Sequence, residues 1–138
     1  MNATQNKELL QDIFAELAKA NARPFVHAMA DDFRWTVVGH NAWAKTYAGK
    51  GAVITELFGT LQRHMDRVVT IPLRFIADED FVVVEARGDN VTKSGAPYNN
   101  RYCFVFRLEG GKLKEVNEYM DTELVTEVLG DPQPRAAE

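Results

Sequence analysis

The sequence predicts an α+β fold, with three helices from the N-terminal half packed on one face of a strongly curved, cone-shaped antiparallel (mixed) sheet. Three observations carry this reading. Apolar residues at helical spacing are concentrated in the first half of the 138-residue chain. Two-residue alternation marks the second half, most clearly in Tyr102, Phe104, Phe106 and Leu108, with Arg101 and Arg107 on the other parity. Short connections join the later strands, so the helices segregate to one face of an antiparallel sheet. A sheet bent around helices leaves a cavity at its wide end, where small-molecule pockets form.

Each element has its own signal. Leu9, Leu10, Ile13, Phe14 and Leu17 share one face of a first helix, with Lys7, Glu8, Asp12, Glu16 and Lys19 elsewhere. Thr4 is a suitable cap, and Asn2 and Asn6 would serve too. Asn21-Ala22-Arg23-Pro24 breaks the pattern, and Pro24 fits the first turn of a short second helix containing Phe25, Val26 and Met29. Asp31-Asp32 ends that helix and leads into a strand from Phe33 to Val38. The irregular stretch GHNAWAKTYAGK follows, and its Trp43 and Tyr47 are expected to fold back onto the body.

A third helix is predicted from Gly51 to Met65, burying Val53, Ile54, Leu57, Phe58 and Leu61. Strands over 68–76 and 81–90 meet at the acidic turn Asp78-Glu79-Asp80. The aromatic strand ending at Leu108 turns through Glu109-Gly110-Gly111, where glycine takes positive φ at little cost. On the last strand Val116, Glu118 and Met120 share a face, which places a carboxylate between two apolar neighbours. A short helix over 122–129 closes a single domain spanning 1–138, with 131–138 expected to be a flexible tail.

Composition excludes several classes. A net charge of −4 with scattered Lys and Arg argues against a nucleic-acid partner. No run approaches the roughly 20 apolar residues of a membrane span. The N-terminus lacks a secretory pattern, and Cys103 is the only cysteine, so a reducing, cytoplasmic setting is expected. Neither Cys103 nor the scattered His27, His40 and His64 make a metal site. No Gly-rich phosphate loop, nucleophile elbow or HExxH motif is present, so no cofactor is expected.

Several side chains are candidates for chemistry or binding. Glu118 either pairs with a Lys or Arg at a cavity rim or acts on a ligand. Asn100 and Tyr102 share the inner face and can donate to a ligand oxygen, although a buried Tyr can equally satisfy itself on backbone. Trp35, Trp43, Phe104 and Met120 are apolar walls or ordinary core, and His40 in the aromatic loop is a ligand contact. Val83, Glu85, Arg87 and Asp89 share one face of their strand, and Val82, Val84 and Ala86 the other. Either the polar set faces solvent over a valine core, or Glu85 and Asp89 enter the cavity and the valines form a convex dimer face.

Ala30-Asp31-Asp32, Tyr47-Ala48-Gly49-Lys50-Gly51, residues 95–108 and above all Gly111 to Asp121 resemble the nuclear transport factor 2-like superfamily, in its SnoaL-like and ketosteroid-isomerase-like branch. The resemblance covers about residues 5–130 and implies a cystatin-like α+β roll, a small-molecule pocket and a homodimer. It does not imply steroid isomerase chemistry. The positions of that enzyme's base, tyrosine and acid hold Thr36 or Val37, Phe14 and Phe104, none able to do the work. Arg87-Gly88-Asp89 resembles the Arg-x-Asp of limonene-epoxide-hydrolase-like enzymes, with Glu118 at the second acid and Asn41 a loose candidate for holding water. Strand parity with that family favours Glu85 and Asp89 inside the cavity.

The resemblance thus implies cofactor-independent acid/base chemistry on a small, mainly apolar ligand, by hydrolysis, isomerisation or cyclisation. Arg87, Asp89 and Glu118 would carry it, with Tyr102 and Asn100 on the substrate oxygen. A non-catalytic binding module and a protein–protein adaptor are the alternatives, the adaptor requiring a cavity filled by the protein's own side chains.

Overall fold

A computed structural model describes residues 1–132. The chain runs α1 (Ala3–Leu17), α2 (Arg23–Ala28), β1 (Met29–Val37), β2 (Thr46–Ala48), α3 (Lys50–Ala52), α4 (Gly59–His64), β3 (Thr70–Asp78), β4 (Phe81–Gly88), β5 (Asn90–Val91), β6 (Pro97–Tyr98), β7 (Arg101–Glu109), β8 (Lys112–Met120) and α5 (Thr122–Leu124). The expected tail over 131–138 falls almost wholly outside the described residues.

Local chemistry explains the ends of these elements. Asn2 caps α1 in a capping box: its Oδ1 accepts the Gln5 backbone N–H at 2.8 Å, and the Gln5 side chain accepts the Asn2 N–H at 3.0 Å. Between α3 and α4 the helix continues through Val53–Phe58 as a wide π turn, in which the Gly59 N–H reaches back to the Ile54 carbonyl. The closing helix does the same after α5, where Val125–Leu129 is π-wound and the Gly130 N–H bonds the Val125 carbonyl at 3.1 Å. π turns are rare and concentrate at functional sites. At the β7–β8 hairpin, Gly110 and Gly111 take φ of 58° and 77°, a conformation that glycine adopts without strain.

Six strands form one open sheet in the order β2-β1-β8-β7-β4-β3, antiparallel throughout except for the parallel β1–β8 pair; β5 and β6 make a separate ribbon. β1 starts at Met29, earlier than the periodicity predicts. Asp31 and Asp32 do not end a helix but lie in a bulge: Met29 and Arg34 pair with Leu113 and Glu115, so five steps of β1 span two of β8.

The core lies between α1 and the concave sheet face. Leu10, Ile13 and Phe14 are buried, and the Phe14 ring meets Phe25, Phe75, Phe104 and Phe106 at centroid distances of 5.7–6.5 Å. β4 contributes Val82, Val84 and Ala86, all buried, because its register with β7 sets them opposite Phe106, Phe104 and Tyr102. That pairing corrects the expectation for β4. The valines belong to the core, and Glu85, opposite Cys103, and Arg87, opposite Arg101, point to the outer face.

Candidate functional site

A cavity of about 290 Å³ opens between the inner sheet face, α1, the α3–α4 helix and the closing helix. Its walls are mainly aromatic and aliphatic, including Phe14, Phe58, Phe104, Met120 and Leu129. Both π-wound turns face it, through Leu57 and Phe58 in one and Val125 and Leu129 in the other. The exposed lining residues Ala20, Gln62, Asp66 and Arg67 mark its mouth, between the α1–α2 connection and the segment after α4.

One carboxyl is sealed into this apolar lining. Glu118 is 8% exposed, held inward by the parity of β8 between buried Val116 and half-buried Met120. Its Oε1 accepts the Trp35 indole N–H at 3.0 Å. Among the described residues the carboxyl has no other protein hydrogen bond. Burial pushes its pKa up from 4.5 to about 7, against the smaller lowering effect of the Trp35 hydrogen bond. Trp35 is itself fixed by edge contacts to Phe33, Phe58 and Phe104 at 5.6–6.2 Å. A carboxyl poised near neutrality both gives and takes protons, as a general acid and base must.

Tyr102 stands diagonally across from Glu118, since Phe104 pairs with Glu118 and Tyr102 with Met120. Its ring stacks on Phe104 at 5.4 Å, and its phenol is held neutral by burial, then by Tyr98 and the Glu118 charge. Tyr98 also lines the cavity, and burial raises its pKa as well. The two phenols and Glu118, with the Trp35 and Trp43 indoles already engaged, are therefore polar groups of an otherwise apolar buried wall. Tyr98 was not among the predicted site residues, although it shares the inward parity of Tyr102 and Phe104.

Trp35, Trp43, Tyr102, Phe104, Glu118 and Met120 all line the cavity. Trp43 does fold back as expected, its indole N–H donating to the Gly130 carbonyl at 2.8 Å. The other predicted residues do not line it. Glu85 forms an exposed ion pair with Arg74 at 3.2 Å, and Arg87 and Asp89 are exposed outside the cavity. Hence the Asp–Arg–acid arrangement is not assembled around Glu118. His40 is exposed in its loop, away from the lining.

Asn100 is fully buried, but its side chain is consumed by structure. Nδ2 donates to the Tyr98 hydroxyl at 3.0 Å and the Asp121 carbonyl at 3.1 Å, while Oδ1 accepts the Arg101 and Asp121 N–H groups at 2.7 and 3.1 Å. Asn41 Oδ1 accepts the Trp43 N–H at 3.0 Å, and Asn41 does not line the cavity, while its Nδ2 is buried without a protein partner among the described residues. No group of three His, Cys, Asp or Glu among the described residues could hold a metal. No helix there is long and apolar enough to cross a membrane.

The family model for the SnoaL-like domain matches residues 10–116. Bal32a, from a soil-derived mobile gene cassette, is similar in structure with a TM-score of 0.80 at 19% identity, covering 91% of this chain and 97% of that one. A candidate SnoaL-like polyketide cyclase from Jannaschia sp. CCS1 gives a TM-score of 0.76 at 21% identity, covering 95% of each chain. A candidate isomerase from Bacillus subtilis gives 0.76 at 19%, covering 96% of this chain and 100% of that one. At such identities the likeness is one of fold. No curated protein matches the sequence.

Proposed function

The chain belongs to the SnoaL-like family, and from that membership and the chemistry of the cavity we propose that it binds a small, mainly apolar molecule and moves a proton on it without a cofactor, by isomerisation or cyclisation. One observation carries the reading: a single buried carboxyl, with a pKa near 7 and one hydrogen bond, lies in a mainly apolar cavity. The Glu118 carboxylate takes a proton from carbon next to a substrate carbonyl, and the carboxylic acid so formed returns it at another carbon. The neutral Tyr102 hydroxyl donates to the carbonyl oxygen as negative charge develops there. Hydrolysis by the epoxide-hydrolase arrangement has lost its support, because Arg87 and Asp89 lie outside the cavity. The open cavity favours a ligand over the adaptor reading.

The test is deuterium incorporation from D₂O into a panel of apolar ketones, enones and aromatic polyketide fragments. Protein-dependent exchange that disappears in Glu118→Gln, while binding persists, supports the proposal. Binding without exchange in the wild type leaves the non-catalytic binding module. We further propose a homodimer through the outer sheet face, where Ile76, Phe81 and Tyr119 are exposed.

A further inference from the structure

The mouth of the cavity carries positive charge that its interior lacks. Arg67 lines the mouth directly. An adjoining groove shares Ala20 and Ala22 with the cavity and is lined by Arg23, His27 and Lys50. Lys112 reaches the same corner, its Nζ donating to the His27 carbonyl at 3.1 Å. Two acids of this region have partners: Asp66 lies 3.6 Å from Lys93, and Glu16 accepts from Asn21 at 3.2 Å and lies 3.7 Å from Lys19. Arg23, Lys50 and Arg67 form no ion pair within 4.0 Å among the described residues. A cationic rim therefore stands out on a chain of net charge −4.

The interior is the wrong place for an anion. It would lose its hydration among aromatic walls and meet the buried Glu118 carboxyl. At the rim the same group keeps its water and gains the field of several cations. We propose that the ligand of this cavity is an amphipathic monoanion, its apolar body inside and its carboxylate or equivalent anionic group at the Arg23, Lys50 and Arg67 rim. The inference rests on the cavity being the ligand site, and it adds the chemical class of what enters.

The test is calorimetric titration with ω-phenylalkanoates of increasing chain length, each beside its neutral primary amide. The carboxylate should bind about tenfold more tightly than the amide at low salt, with a maximum at one chain length. That preference should shrink in 0.5 M salt, because rim charges are screened. Arg23→Gln/Lys50→Gln and Arg67→Gln should each weaken carboxylate binding and leave amide binding unchanged. Amides that bind as tightly as carboxylates, or a preference that survives when all three substitutions are combined, would overturn the anionic ligand and leave the cavity reading standing. If neither acid nor amide binds at any length, the cavity reading fails and this inference with it.

Discussion

The Trp35 indole and the Glu118 carboxyl, 83 residues apart in sequence, meet at 3.0 Å because β1 and β8 run parallel, with Trp35 opposite Val116 and Val37 opposite Glu118. This contact opposes burial: the hydrogen bond favours the charged carboxylate, and the dry cavity favours the neutral acid. Trp35→Phe removes the donor and keeps most of the ring. The Glu118 pKa should then rise above about 7, read from the carboxyl carbon shift in an NMR titration. A fall would show that the indole is not stabilising the carboxylate.

The same balance fixes a pH dependence of stability. The folded protein holds a Glu118 proton between pH 4.5 and about 7, a window in which the unfolded chain releases it. Wild-type stability should therefore fall as pH rises through that window, by about 3 kcal/mol from this group. Gln at 118 can still accept the indole hydrogen bond and carries no charge to bury. Glu118→Gln should lose that slope and melt several degrees higher than wild type at pH 8. Urea unfolding of both proteins from pH 4 to 8 gives the difference directly, and an equal slope in both would count against a buried Glu118.

How much of this was legible in the sequence depends on what each feature rests upon. Strand parity alone placed Tyr102, Phe104, Glu118 and Met120 on one face, and the cavity is built on that face. Parity could not say which face of β4 holds the core. That depends on Val84 lying opposite Phe104, a long-range fact, and parity with the resembling family points Glu85 and Asp89 the wrong way. The π turns left no trace, since the apolar stripe from Val53 to Leu61 fits ordinary helical spacing. Asp31-Asp32 looks like a helix end, yet it is a bulge that exists only because β8 lies alongside. The cationic mouth was equally hidden, its residues coming from separate segments of the chain.

The sequence suggests Asn100 as a ligand contact, whereas its four hydrogen bonds predict a structural role. Asn100→Ala leaves the Tyr98 hydroxyl, both Asp121 backbone groups and the Arg101 N–H without that partner in a buried site. A loss of about 3 kcal/mol or more is expected by chemical denaturation. Asp89→Asn and Arg87→Gln, both on exposed positions, should stay within about 0.5 kcal/mol and leave any turnover intact. Loss of turnover in either variant with the fold preserved would return Arg87 and Asp89 to the chemistry.

The outer sheet face predicts the state of association. Register sets Ile76 beside Val83, Val83 beside Val105 and Val105 beside Asn117, so one apolar row crosses β3, β4 and β7. Ile76 is 53% exposed, and Phe81 and Tyr119 extend the apolar surface along the strands on either side. Exposed apolar side chains grouped in this way are candidates for an interaction surface. A two-fold axis through the row would let each copy cover the other with the same residues, the commonest symmetry of soluble oligomers. Sedimentation equilibrium should give a dimer for the wild type at micromolar concentration. Ile76→Glu, at an exposed site, should give a folded monomer by the same measurement with an unchanged circular dichroism spectrum. A wild type that is monomeric at tens of micromolar would remove the dimer, leaving the cavity and its Glu118 chemistry to a single chain.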